Sequence, residues 1–191
     1  MALTEYIGQD FEIVYCDPAW NYFGDPNKMG AAGKEYDLMT QADICAMPIK
    51  DIMAKKAACF VWATGPKLHD AVEAIESWGL FFRGVSFVWV KVNKDGTPMG
   101  AAGTPPTAVK PVTEFVLLGT TNKTGRPFPL LDSAIRQVVF EPRGKHSEKP
   151  EEVRTRIDKI YGSDRKKIEL FARKETPGWV CSGYEIDGKK Y

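Results

Sequence analysis

The sequence predicts one α/β domain over residues 1–191, with a mostly parallel central sheet and helices on both faces. The largely apolar run Phe11–Cys16 has the composition of a buried parallel strand, and it stops at a carboxylate, Asp17. A second apolar run, residues 57–64, is followed by a helical pattern that ends at Gly79. A chain of 191 residues is long enough to bury a core without disulfides.

Composition narrows the classes of function. The formal net charge of +1 gives no global field for nucleic acid, so phosphates must be bound by local patches or through a partner. The four cysteines form no Cys-x-x-Cys pair and there are only two histidines, so we predict neither a metal site nor a disulfide framework. No signal peptide or membrane-length apolar run is evident, which predicts a cytoplasmic protein that does not contact membranes.

The first half of the chain continues from the opening strand into a long polar loop, residues 21–35, of a length that is usually functional or mobile. Residues 41–55 then predict a short helix interrupted at Pro48. After the strand 57–64, Gly65-Pro66 opens a helix whose apolar positions recur at helical spacing.

The second half predicts four more strands and one more helix. Residues 80–92 form a long strand, or a strand pair, bent at Gly84, and residues 114–119, 138–141 and 167–172 form shorter strands. Pro150 is tolerated only in the first turn of a helix, so the apolar stripe after it predicts a helix that ends before Gly162.

The stretch Asp17-Pro18-Ala19-Trp20 is the first candidate site. In open α/β sheets ligands bind at the carboxyl edge of the strands, so Asp17 and Trp20 are placed to hold one planar substrate between an acceptor and a flat aromatic ring. The alternative is an Asp-Pro turn followed by a core tryptophan, because Pro18 also serves simply to end the strand.

These residue types suit the activation of an exocyclic aromatic amine. Such an amine is a poor nucleophile because its lone pair is delocalised into the ring. Asp17 and the backbone carbonyl of Pro18 could accept its two hydrogens and localise that pair. Trp20 could stack on the base, and an electron-rich ring would also tolerate a cationic sulfonium methyl donor.

A second group of candidates follows later in the chain. Lys149 precedes a helix, where the dipole prefers anions, so we expect its ammonium to meet a carboxylate such as the methionine end of a cofactor. Glu169 lies near the end of a strand, where a carboxylate can accept both ribose hydroxyls of a nucleoside. No Gly-x-Gly-x-x-Gly follows any strand, so a dinucleotide site lacks support.

Several blocks together carry a family resemblance. Asp17-Pro18-Ala19-Trp20 is similar to the Asp-Pro-Pro-Trp motif of adenine-N(6) methyltransferases, and the later blocks occur in the same order as in the MT-A-seventy (MT-A70) family: Trp89 to Asn93, His146 to Glu152, Lys167 to Arg173, Pro177-Gly178-Trp179 and Gly183 to Glu185. The chain therefore resembles that family, whose founding members methylate messenger RNA and whose bacterial and phage members methylate DNA.

The resemblance implies a Rossmann-like methyltransferase fold that uses S-adenosyl-L-methionine to methylate the 6-amino group of adenine. It implies a catalytic role for Asp17, Pro18, Ala19 and Trp20. The implied cofactor-binding residues are Asp17, Lys149, Glu169, Phe171, Arg173, Gly183, Tyr184 and Glu185, and the implied substrate-binding residues are Trp20, Tyr22, Tyr36 and His146.

DNA is the expected substrate because the chain lacks extra RNA-binding modules and is compact like the bacterial and phage relatives. The alternatives are an RNA adenine-N(6) methyltransferase and a non-catalytic scaffold subunit; Asp17 and Trp20 together with Lys149 and Glu169 argue against the scaffold. A domain of this size and charge has no separate module to hold a duplex, so we expect a homodimer or a partner subunit. Two departures from the family are Ala19 in place of a second proline and Tyr184 in place of asparagine.

Overall fold

The computed structural model describes residues 3–21, 38–99, 109, 111–144 and 148–188. Within these residues the strands are β1 Phe11–Cys16, β2 Met53–Thr64, β3 Phe81–Val92, β4 Thr113–Thr120, β5 Val138–Pro142, β6 Lys167–Leu170 and β7 Val180–Ser182. The helices are α1 Gln41–Cys45, α2 Ile49–Ile52, α3 Leu68–Ser77, α4 Glu151–Tyr161 and α5 Tyr184–Asp187. None of the helices in these ranges is both long and apolar enough to cross a membrane.

The seven strands form one sheet in the order β5-β3-β4-β2-β1-β6-β7. All neighbouring pairs are parallel except the two that involve β4, which runs antiparallel to both β2 and β3. The prediction of a mostly parallel sheet is confirmed. Because β4 runs in the opposite direction, its amino end lies at the same edge of the sheet as the carboxyl ends of the other six strands.

The side chains of β1 alternate between two core clusters. Val14 and Cys16 face the cluster that includes Ala71 and Ile75 of α3, whereas Ile13 and Tyr15 face the cluster on the opposite side of the sheet. That second cluster includes Val153 and Ile157 of α4. Helices therefore cover both faces, as the sequence predicts.

Some element boundaries agree with the prediction and others differ from it. Residues 53–55, predicted as helix, begin β2, and the helix before them divides at Pro48 into α1 and α2. The predicted segment 80–92 is one strand, Phe81–Val92, and its register with β4 shifts beside Gly84, where φ is 118°, at the residue where a bend was predicted. Strand β6 ends at Leu170 because Phe171 has a φ of 62°, and neither β7 nor α5 was predicted.

Candidate active site

Three carboxylates meet at the edge where the parallel strands end. Asp17 follows directly after β1, Glu169 lies beside Tyr15 in the β1–β6 register, and Glu114 lies beside Thr64 in the β2–β4 register. Glu114 reaches this edge only because β4 runs in the opposite direction. The sheet thus gathers acidic groups from three strands beside the amino end of α4.

Two lysines neutralise two of these carboxylates. Lys149 Nζ lies 2.8 Å from Asp17 Oδ2 and 3.1 Å from Glu114 Oε2. Lys91 Nζ lies 2.5 Å from the other Glu114 oxygen, Oε1. The Lys149 ammonium also lies 5.4 Å from the ring centroid of Trp62, within the range of a cation–π interaction. The formal charges of the two acids and the two lysines cancel.

Burial and the neighbouring charges both shift the pKa values of Asp17, Glu114 and Lys149. Burial raises the pKa of Asp17 above its ordinary value, against the lowering effect of Lys149 and with a further rise from Glu114. Burial alone would raise the pKa of Glu114, but Lys149 and Lys91 bring that pKa below its ordinary value. Burial would lower the pKa of Lys149, but Asp17 and Glu114 raise it, so Lys149 stays charged at any physiological pH.

Trp20 lies in the protein interior. Its side chain is 4% exposed and belongs to the core cluster on the α3 face. Its indole N–H donates to the carbonyl oxygen of Trp62 at 2.9 Å. These contacts favour the core-packing alternative, and stacking of Trp20 on a base stays a prediction.

The backbone around Pro18 is fixed by local hydrogen bonds. The Trp20 N–H donates to the Pro18 carbonyl oxygen at 2.8 Å, and the Met39 N–H donates to the carbonyl oxygen of Ala19 at 2.9 Å. A carbonyl oxygen has two lone pairs, so the Pro18 carbonyl keeps the capacity to accept one more hydrogen. Ala19 contributes through its backbone and packs against the core.

Glu169 is held by an arginine that the sequence reasoning missed. Arg154, in α4, donates from Nη1 to Glu169 Oε1 at 2.6 Å. The second oxygen, Glu169 Oε2, is buried and has no hydrogen-bond partner among the described residues. Burial raises the pKa of Glu169 to about 7, although Arg154 lowers it.

The other predicted cofactor residues follow either β6, the strand that carries Glu169, or its neighbour β7. A Cβ atom on Gly183 would lie 2.3 Å from the carbonyl oxygen of Ala172, so only glycine lets these two backbone segments pass so closely. Arg173 Nη1 lies 3.4 Å from Glu185 Oε1, and Phe171 packs against the core. Tyr184 is 55% exposed.

Three predicted substrate-binding residues, Tyr22, Tyr36 and His146, lie outside the described residues. The structure brings Asp17 and Lys149 into direct contact, and it places Glu169 and Gly183 on the neighbouring strand ends of the same sheet edge. Their roles in binding and catalysis stay predictions.

Sequence reasoning also missed Glu114 and Lys91. Glu114 opens an otherwise apolar strand, and an acidic residue in that position is a signal of a buried, paired carboxylate. Lys91 stands among the apolar residues of β3 in the same way. The signal for Arg154 is weaker, because one arginine among other charged residues of a helix looks like a surface residue.

The chain matches a known protein family over most of its length. The MT-A70 family model matches residues 11–185. The chain is 30% identical over 197 aligned residues to the type II methyltransferase M.MunI of a Mycoplasma species, an alignment that covers 94% of this chain and 79% of the relative.

Two longer relatives match as well. The human N(6)-adenine-specific methyltransferase METTL4 is 26% identical over an alignment that covers 92% of this chain, and the mouse METTL4 is 27% identical over 94% of it. The chain spans only 37% and 38% of the length of these two proteins. The family model spans all seven strands and confirms the resemblance found in the sequence: the chain belongs to the MT-A70 family of adenine-N(6) methyltransferases.

Proposed function

We propose that the protein transfers a methyl group from S-adenosyl-L-methionine to the 6-amino group of adenine in DNA. Family membership supports adenine methylation, and the similarity to the Mycoplasma type II methyltransferase, 79% of which is covered, supports DNA as the substrate. The observation that carries the mechanism is the position of Asp17 at the carboxyl edge, with Lys149 on only one of its two oxygens.

The residues around Glu169 fit the implied cofactor. Glu169 Oε2 is a buried acceptor without a partner among the described residues, and a buried acceptor of this kind costs free energy until a donor reaches it. A ribose hydroxyl is such a donor. Glu169 would therefore hold the nucleoside end, and Arg173 and Lys149 supply positive charge for a carboxylate. When bound, S-adenosyl-L-methionine supplies an electrophilic methyl group on a positively charged sulfur.

Asp17 activates the amine in this proposal. Lys149 holds Asp17 Oδ2, so Oδ1 is the oxygen that we expect to accept one amine hydrogen, while the remaining lone pair of the Pro18 carbonyl accepts the other. These two bonds localise the nitrogen lone pair and aim it away from the ring plane.

In this proposal Asp17 also accepts the proton that the amine loses when the methyl group is transferred. Attack by the amine leaves the nitrogen with one proton too many, and Asp17 Oδ1 already accepts a hydrogen from that nitrogen. A carboxylate whose pKa is raised by burial is a stronger base than an ordinary one. Asp17 and Glu114 together keep the Lys149 ammonium charged. That charge lowers the pKa of Asp17, so it limits how far Asp17 is protonated.

Product analysis tests this function. The purified protein is incubated with methyl-labelled S-adenosyl-L-methionine and duplex DNA, single-stranded DNA or RNA, and the nucleic acid is digested to nucleosides. We expect label in N(6)-methyldeoxyadenosine. Label in N(6)-methyladenosine alone would make RNA the substrate, and absence of label from all three polymers would support the scaffold alternative.

We further propose that the active species is a homodimer or includes a partner subunit. The support is the formal net charge of +1, which provides little overall attraction for a polyanion. Sedimentation of the active enzyme on duplex DNA tests this, and a monomer that is fully active there would refute it.

A further inference from the structure

Arg154 is a buried cation that the proposed mechanism does not use. Its side chain is only 5% exposed, although it lies near the amino end of α4, where the helix dipole disfavours positive charge. Burying a guanidinium costs free energy unless it is paired with good geometry. Its position therefore calls for a specific partner.

The contacts of Arg154 fix the guanidinium from three sides. Nη2 and Nε lie 2.6 Å and 3.0 Å from the two carboxylate oxygens of Glu151, a bidentate pair on the solvent side. The guanidinium carbon lies 5.6 Å from the ring centroid of Tyr15. On the inner side Nη1 donates to Glu169 Oε1 at 2.6 Å. The pair with Glu151 thus holds the guanidinium from the side opposite to Glu169.

The geometry divides the two oxygens of Glu169 between two tasks. Arg154 occupies Oε1, and the buried Oε2 has no partner among residues 3–21, 38–99, 109, 111–144 and 148–188. If the carboxylate were free to rotate, either oxygen could take the position of Oε2. With one oxygen pinned, the orientation of the other is set before any ligand arrives.

We propose that Arg154 is a positioning residue of the cofactor site, which favours the ionised form of Glu169 and aims its Oε2 at the ribose hydroxyls of S-adenosyl-L-methionine. This inference rests on the proposed function. It adds a residue within α4 to a site that is otherwise built from strand ends and from Lys149, which precedes that helix.

The electrostatics around Glu169 agree with this role. The titratable and charged groups that surround it are Arg154 and Glu151 on α4, Tyr15 and Asp17 at the end of β1, Cys181 on β7 and Lys174 after β6. Burial raises the pKa of Glu169 to about 7, and Arg154 is the strongest influence that lowers it. Glu151 and Asp17 raise that pKa further, and Lys174 lowers it. Tyr15 and Cys181 have raised pKa values and stay neutral at pH 7.

The test uses the full chain and two readouts. Carbon-13 NMR of the Glu169 carboxyl in the protein without cofactor gives its titration midpoint, and calorimetry gives the affinity for S-adenosyl-L-methionine as a function of pH. Arg154→Met removes the charge and keeps the apolar stem, and Arg154→Lys restores a charge without the bidentate geometry. Arg156→Met is the matched control, because Arg156 lies on the same helix but pairs with Glu152 and with backbone carbonyls.

In the wild-type protein, affinity should rise as pH increases through about 7, because the ionised carboxylate accepts the stronger hydrogen bonds. In Arg154→Met the midpoint should move upward by about one pH unit or more, so affinity at neutral pH falls by about fivefold or more and recovers at higher pH. Arg154→Lys should lie between the two, and Arg156→Met should match the wild type.

Two results would overturn the inference. One is a folded Arg154→Met protein whose Glu169 midpoint equals that of the wild type. The other is a loss of affinity of the same size at every pH, which a purely structural role would produce. A wild-type protein that binds no S-adenosyl-L-methionine at any pH would instead overturn the proposed function itself, so the two failures are distinguishable.

Discussion

Asp17, directly after β1, and Glu169, on the adjacent β6, lie at the same edge of the sheet, but their carboxylates have different partners. Asp17 belongs to a neutral network of two acids and two lysines. Glu169 is held by Arg154 on one oxygen only, and the other oxygen is buried without a partner among the described residues. A balanced network suits a group that must handle a proton at the reacting atom. A carboxylate with one hydrogen-bonded oxygen and one oxygen without a donor suits a group that binds a ligand hydroxyl.

The largest effect on stability is expected at Trp20, three residues after Asp17 in the chain. Because this side chain is 4% exposed and its N–H donates to the Trp62 carbonyl, Trp20→Ala should cost about 3–5 kcal/mol of the free energy of unfolding. Urea denaturation measures this loss. Tyr184→Ala, at a side chain that is 55% exposed, is the control and should change stability by less than about 0.5 kcal/mol. Near-normal stability of Trp20→Ala, with turnover lost mainly on duplex DNA, would support base stacking instead.

A loss of similar size is expected when the balance around Asp17 is broken. Lys149→Met removes the ammonium group that contacts both Asp17 and Glu114, so it should cost about 3–5 kcal/mol of the free energy of unfolding. Lys174→Met is the matched control, because Lys174 also contacts two carboxylates but is 48% exposed, and its loss should cost less than about 1 kcal/mol. Equal losses from both variants would contradict the buried network described for Lys149.

The buried carboxyl of Glu169 should make stability depend on pH. Its pKa is raised from 4.5 to about 7 in the folded protein, so between these values the folded state holds a proton that the unfolded state has released. Stability from this group is therefore present below about pH 4.5 and is lost as the pH rises through 7. Compared with Glu169→Gln, the wild type should lose roughly 3 kcal/mol between about pH 4 and pH 8. Parallel stability curves for the two proteins would contradict the assignment.

The smallest effect is expected on ligand affinity. Glu169→Ala removes the acceptor that we assign to the ribose, so it should weaken binding of S-adenosyl-L-methionine by about 1–3 kcal/mol. Calorimetry at pH 8 measures this change. Glu152→Ala, which removes an acid that pairs with Arg156 instead, should leave affinity unchanged. If the two variants bind equally well, Glu169 is not part of the cofactor site.

The strands and the first site residue were predictable because their signals are local. An apolar run that stops at an acidic residue is enough to place Asp17 at a strand end, and the continuous run of β1 is enough to predict a strand that is buried on both faces. Strand β7 was missed because it has three residues, of which Val180 is exposed and Cys181 is half-buried. So short a segment carries no periodic signal.

The partners of Lys149 could not be read from the sequence for a different reason. Its position before a helix predicts a nearby carboxylate, and the carboxylates that it contacts are Asp17 and Glu114. Glu114 reaches the site only because β4 runs antiparallel, and strand direction leaves no trace in the apolar pattern of a buried strand. A carboxylate on the cofactor as a further partner stays a prediction.

The most direct test of the mechanism is the single-turnover rate of Asp17→Asn on an adenine-containing duplex, measured together with its melting curve. The amide keeps one acceptor but lacks the charge, and it can turn its own N–H groups toward the amine. We expect the rate of methyl transfer to fall by about 10²–10⁴-fold. Loss of one acid from the buried network should also lower stability, so the rate is measured at a temperature where the melting curve shows the variant folded. A folded Asp17→Asn protein that methylates adenine at the normal rate would contradict the role of Asp17 proposed here.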